Sequence, residues 1–179
     1  MRPPVRHRTA VLCALLTMTM LSGCGVGQAV KDSTVSATKW LFTTQVKTMK
    51  VDLASRAALN ASDAGQSLST VVRLYQLKTP DTFELLSYTQ LQQHDLNLLK
   101  DDLLATHDVV LQPDAQASIT EPMKPDAQYV GVVAFFRNTD DNAVWKLVVP
   151  KQQWKKTSPV RIEVRDNVLE LRKMKKENG

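Results

Sequence analysis

From Met49 to Arg172 the apolar residues fall in short runs of four to nine, most of them closed by a proline or by an Asp-Asn pair. Runs this short suit strands better than helices of ordinary length. Met49, Val51 and Leu53 alternate with Lys50 and Asp52. Val160, Ile162 and Val164 alternate in the same way with Arg161, Glu163 and Arg165. Period two marks strands with one buried face. Thr70 to Leu77 (TVVRLYQL) is rich in β-branched and aromatic residues, a third strand signal. Gln128 to Phe136 is nearly continuous apolar sequence, as expected of a central strand covered on both faces. Asp108–Leu111, Gln116–Thr120, Val144–Val149 and Val168–Arg172 bring the number to eight. Asp166-Asn167 suits a two-residue turn, because both residue types tolerate positive φ. Eight short strands with turn signals between them predict a mainly β chain, folded as a sandwich.

One stretch departs from that pattern. Pro80 breaks the second strand, and Asp81 with Glu84 three residues later is a capping-box-like helix start. Phe83, Leu86, Leu91, Leu96, Leu99 and Leu103 then predict two or three short helices, with Asp95 as a second cap. The sequence thus places a helical insert at about 81–104, between strands two and three. Leu59 to Ser69 (LNASDAGQSLS) is small and polar, and reads as a loop.

The formal charge of +5 suggests a nucleic-acid partner until it is divided along the chain. Arg2, Arg6 and Arg8 put +3 in residues 1–23, and Arg172 to Gly179 hold another +3. The body between them is near neutral, so the nucleic-acid reading falls away. The basic start leads into Thr9–Leu21, 13 uncharged residues. That pair of features defines a secretory signal. As a helix it would reach only about 20 Å, too short to span a membrane. The segment ends in Leu21-Ser22-Gly23-Cys24, which resembles the bacterial lipobox. This implies removal of residues 1–23 and lipidation of Cys24, the one cysteine left once Cys13 is discarded. Gly25, where an aspartate commonly retains lipoproteins at the inner membrane, resembles the sequence of an outer-membrane lipoprotein. Residues 24–47 form the tether, with room for a short helix and one apolar cluster, Trp40-Leu41-Phe42. Residues 48–172 are the domain, and 173–179 a basic tail.

Residue patterns for catalysis are missing from the sequence. His94 and His107 lie 13 apart with no cysteine partner, so a zinc site is unsupported. There is no Gly-x-Ser-x-Gly elbow and no glycine-rich phosphate loop. Asp101-Asp102 and Asp140-Asp141 read as solvated turn or cap residues. We therefore expect no enzyme, and no cofactor beyond the covalent lipid.

Several segments together resemble a known family. They are Val72-Arg73-Leu74-Tyr75-Gln76-Leu77, Phe83, Asp101-Asp102-Leu103-Leu104, Pro113, Tyr129 to Arg137 (YVGVVAFFR) and Trp145. In this order, behind a lipobox, they are similar to the type VI secretion outer-membrane lipoproteins called TssJ, SciN or VasD, over about residues 48–172. The resemblance implies a transthyretin-like β-sandwich with a helical insert. It also implies a lipoprotein facing the periplasm, which holds the periplasmic C-terminal domain of the inner-membrane protein TssM and, through it, TssL. The family's partner-binding element is the loop between strands one and two, here Leu59, Asn60, Ala61, Ser62, Asp63, Ala64, Gly65, Gln66 and Ser67. Two departures stand out: Trp145-Lys146 where relatives have Trp-Arg, and Leu59-Asn60-Ala61 where they often have Val-Asn-Pro. The alternative reading is an envelope lipoprotein that carries a small ligand or hydrophobic cargo, which requires a large apolar cavity.

Overall fold

A computed structural model describes residues 45–172 of the chain. The signal segment, Cys24, Gly25, the Trp40-Leu41-Phe42 cluster and the basic tail lie outside the described residues. Eight strands form two sheets. β1 (Thr48–Leu59), β4 (Gln116–Pro122), β7 (Val160–Asp166) and β8 (Val168–Leu171) make the first, in the order β4-β1-β7-β8. β2 (Thr70–Leu77), β3 (Leu103–Leu111), β5 (Tyr129–Ala134) and β6 (Lys146–Pro150) make the second, in the order β3-β2-β5-β6. β1 and β7 are parallel and the other strand pairs antiparallel. Two four-stranded sheets make the mainly β, eight-stranded sandwich that the sequence predicts.

Alternation in the sequence becomes two faces in the first sheet. Met49, Val51 and Leu53 on β1, with Ile162 and Val164 on β7, are buried against Val72, Leu74, Val130 and Val132 of the second sheet. Lys50, Arg161 and Arg165 point to solvent from the opposite face. The second sheet is covered twice. Its other face turns Tyr75, Leu77 and Val133 toward Phe83, Leu86, Leu91 and Leu99 of the insert. Double coverage explains why β5 carries almost no polar side chain, as the sequence indicated.

The insert is shorter than the sequence suggested. It consists of α1 (Asp81–Leu85) and α2 (Tyr88–Leu98), and β3 already begins at Leu103. Leu103 pairs with Leu77, and Leu104 packs on the core between the sheets. The spacing of Leu96, Leu99 and Leu103 is helical, but antiparallel pairing along β2 captures the last of them. Asp81 and Glu84 do not make a capping box. α1 starts on Pro80 without a side-chain cap, and its two carboxylates lie in the first turn, where the helix dipole favours them. The capping box belongs to α2. Ser87 Oγ accepts the Gln90 N–H at 3.4 Å, and Gln90 Oε1 accepts the Ser87 N–H at 2.9 Å.

Two charged groups fasten the insert to the sheet. Arg73 donates to Asp108 through Nε and Nη2, both at 2.6 Å, and to Asp95 Oδ2 through Nη1 at 2.6 Å. Tyr75 Oη donates to the same Asp95 oxygen at 2.8 Å. Asp95 follows a kink at His94, so its role is an ion pair under α2 as well as a local cap on the Leu96 N–H. The Arg73 fork holds the Asp108 carboxyl below the usual carboxylate range. Burial, together with Asp95, pushes the Tyr75 hydroxyl well up. On the other flank, Lys146 Nζ donates to the Glu84 and Leu86 carbonyls at 2.7 and 2.8 Å. These are end-of-helix acceptors of α1, which lack intrahelical partners. Burial lowers the Lys146 pKa from its ordinary value. The cation at Trp145-Lys146 is thus a cap for the insert.

The tether, expected to run to residue 47, docks earlier. Val46 packs against the core, and the Lys47 carbonyl accepts the Met123 N–H at 2.9 Å.

Candidate functional site

Strand directions sort the connections to two ends. β1 runs to Leu59, and the pairings of β2, β3, β5 and β7 place the β1–β2, β3–β4, β5–β6 and β7–β8 connections at that same end. Thr48, where the chain enters β1, lies at the opposite end. Twelve residues of strand separate the two, about 40 Å at ~3.3 Å per residue.

The β1–β2 connection begins one residue later than the sequence suggested. Leu59 is the last residue of β1 and is fully buried, so it anchors the loop and is not part of its surface. Asn60 follows in the left-handed region, at φ 47°, and is also buried. Asparagine tolerates that conformation better than most residues. Both atoms of its side-chain amide are engaged: Nδ2 donates to the Ser69 carbonyl at 2.8 Å, and Oδ1 accepts the Arg137 N–H at 2.6 Å. Its own N–H donates to the Asp166 carbonyl at 2.9 Å. One residue therefore ties the start of the loop to its end, to the β5–β6 loop and to the β7–β8 turn.

Beyond Asn60 the loop closes on itself. The Gly65 N–H donates to the Ser62 carbonyl at 2.9 Å, a tight turn over Asp63 and Ala64 that Gly65 leaves at φ 75°. The Ser62 N–H donates to the Gln66 carbonyl at 2.8 Å, and the Leu68 N–H to the Leu59 carbonyl at 2.9 Å. Ser67 Oγ accepts weakly from the Leu59 N–H, at 3.4 Å. Ala61, Asp63, Ala64, Gly65, Gln66 and Ser67 are exposed, and Ser62 half-buried. The result is an ordered projection with small and polar side chains outward.

Sequence reasoning about the loop alone missed its neighbours. Arg137, Asn138 and Asn167 line an open depression together with Ala61, Ser62 and Asp63. Arg137 Nη2 lies 2.7 Å from Asp63 Oδ2 across it. The signal for Arg137 was present, since it closes the YVGVVAFFR run, but nothing in the sequence places it beside residue 63. Asp140 acts as a local turn cap, accepting the Asn142 N–H at 3.0 Å.

A smaller pocket, of about 200 Å³, opens between the edges of β3 and β4. His107, Glu121, Gln76 and Lys124 are among its lining residues, and His107 Nδ1 lies 3.2 Å from Glu121 Oε1. Among the described residues, no group of three or more His, Cys, Asp or Glu side chains is placed to hold a metal ion.

The candidate site is thus one exposed loop held at its base by a β-sandwich whose second sheet carries the helical insert. The chain belongs to the family described as type VI secretion lipoprotein, VasD, EvfM, TssJ, VC_A0113, whose model matches residues 47–167. Solved structures agree. A chain in a structure entitled "Type VI membrane complex" is 36% identical, with a TM-score of 0.68, covering 72% of this chain and 100% of that one. A chain in "T6SS protein TssM C-terminal domain (869-1107) from EAEC" is 34% identical, with a TM-score of 0.63 and the same coverage. The lipoprotein TssJ1 from Pseudomonas aeruginosa is 27% identical, with a TM-score of 0.63, over 73% of this chain and 100% of that chain. No curated protein matches the sequence.

Proposed function

We propose that this protein is the outer-membrane-anchored subunit of a type VI secretion membrane complex. In this reading Cys24 carries the lipid, Gly25 allows sorting to the outer membrane, and the domain faces the periplasm. The exposed part of the β1–β2 loop, Ala61 to Ser67, binds the periplasmic C-terminal domain of a TssM-like protein, and through it the chain connects to a TssL-like protein. Its role is mechanical and associative, with no catalysis and no cofactor beyond the lipid.

The observation that carries this reading is the polarity of β1. The strand receives the tether at Thr48 and delivers the loop at the far end of the sandwich. A partner engaging the loop therefore meets the domain at the end opposite Thr48. Ordered loops on rigid scaffolds are common binding devices, because little conformational entropy remains to be lost. The cargo-carrier reading needs an apolar cavity, usually of ~300–1,000 Å³. The space between the sheets is instead filled by Met49, Leu53, Leu74, Ile162 and their neighbours, and the pocket at the β3–β4 edge, at about 200 Å³, is small and of mixed lining.

Deletion of Asn60–Gln66 tests the reading. Binding of the TssM-like periplasmic domain, measured by calorimetry, should disappear while the far-UV spectrum stays that of a folded sandwich. Full affinity in the deletion variant would exclude the loop as the tether. Labelling with radioactive palmitate tests the anchor: label should enter the wild type and be absent from Cys24→Ser.

A further inference from the structure

The near-neutral body conceals a separation of charge between the two ends of the sandwich. At the end where β1 begins, residues 47–50, 78–81, 99–102, 123–128 and 151–156 hold eight lysines and four acids, Asp81, Asp101, Asp102 and Asp126. At the other end, residues 60–69, 112–115, 135–145 and 166–167 hold five aspartates and one base, Arg137.

Hydrogen bonds to main-chain carbonyls knit three of these segments into one surface. The Met123 N–H donates to the Lys47 carbonyl at 2.9 Å, joining the β4–β5 connection to the start of β1. Trp154, on α3 (Gln153–Lys156), donates its indole N–H to the Lys50 carbonyl at 2.9 Å. Lys151 Nζ donates to the Pro125 carbonyl at 3.0 Å, bringing the β6–β7 connection beside the β4–β5 one. Lys151 is thereby turned inward, while Lys47, Lys50, Lys124, Lys155 and Lys156 are exposed. These are flexible stems with compact charges, suited to a diffuse field of phosphates more than to one shaped ligand.

We propose that this lysine end of the sandwich rests on the anionic phospholipid surface of the membrane that holds the anchor. The proposal rests on reading Cys24 as that anchor, 23 positions before Lys47, which keeps this end at high effective concentration near the bilayer. Each lysine near an anionic surface strengthens association about fivefold, and added salt screens the effect. Contact at the lysine end leaves the aspartate end, with its loop, directed away from the lipid.

The test uses the full Cys24→Ser chain, so that lipid insertion does not mask the effect, and sedimentation with vesicles. Binding to phosphatidylcholine vesicles containing phosphatidylglycerol should exceed binding to phosphatidylcholine alone, and should fall as salt rises. Lys155→Gln/Lys156→Gln should weaken it about 25-fold, at about fivefold per lysine. Arg56→Gln/Arg165→Gln, an equal charge change elsewhere, should leave it intact. Equal binding to neutral vesicles, equal loss in the two variants, or retention on peptidoglycan but not on anionic vesicles would each overturn the proposal. The vesicle assay contains no partner protein, so its failure leaves the loop reading standing, while a failed loop deletion leaves the lysine surface standing.

Discussion

The tip of the Phe83 ring packs against Gly131. A Cβ built on that glycine would stand 2.8 Å from two carbons of the Phe83 ring. Phe83 is the fully buried residue of α1, and Gly131 sits in the middle of β5. The insert therefore sits as close to the sheet as it does because one position of β5 has no side chain. Gly131→Ala should destabilise the domain by about 1–3 kcal/mol, the usual cost of overpacking a core. Urea unfolding would show it as a lower midpoint at unchanged slope.

Asp95 is the second fastening of the insert. Its Oδ2 receives both Arg73 and Tyr75 while the residue is only 6% exposed. Asp95→Ala leaves Arg73 with Asp108 alone and the Tyr75 hydroxyl without its acceptor. The expected loss is about 2–3 kcal/mol, with Tyr75→Phe costing about 1 kcal/mol. Hydrogen exchange should locate the weakening in residues 88–98 before the sheets are affected.

Acid should find the Arg73–Asp108 pair. The Asp108 carboxyl is depressed below its unfolded value by Arg73. Its contribution is therefore fully present above the ordinary carboxyl range, about pH 4, and is lost as pH falls through the depressed folded value. Arg73→Gln removes that dependence. The difference in melting temperature between the wild type and Arg73→Gln should be constant from neutral pH to about pH 5 and shrink below about pH 4.

Asn60 separates two effects in one residue. Asn60→Gly keeps the left-handed backbone available and loses the hydrogen bonds to Ser69 and Arg137. Asn60→Ala loses the same bonds and adds the strain of a Cβ at positive φ, about 1–2 kcal/mol. Alanine should therefore be the less stable variant by about that amount. Both should weaken partner binding, since the loop and Arg137 lose their common support; unchanged affinity in either would show that the loop needs no such base.

Much of the fold was legible because strand periodicity is local. Val160 to Arg165 alternates in the sequence as it does in the sheet, and the unbroken apolar run of β5 announced a second covering layer. Misreadings arose where distant pairing decides. Leu103 has helical spacing to Leu99, yet Leu77 claims it for a strand. Asp81 and Glu84 have the spacing of a capping box, yet the reciprocal pair formed is Ser87 and Gln90. The functional end was half legible. Small, polar and glycine-containing sequence marked the loop, but the depression beside it is assembled from three connections whose proximity is a property of topology. The separation of charge between the two ends was invisible for the same reason, since it cancels in any sum along the chain.

β1 receives the tether at one terminus and issues the loop at the other. Under the proposed function, tension applied between those two ends runs along a single strand, parallel to its own axis. β4 and β7 hydrogen-bond along its flanks, so pulling β1 out demands that many bonds shear together instead of unzipping one by one. The helical insert, the second sheet and their cores stand outside that line of force. They can be softened or remodelled without lengthening the path from Thr48 to Leu59.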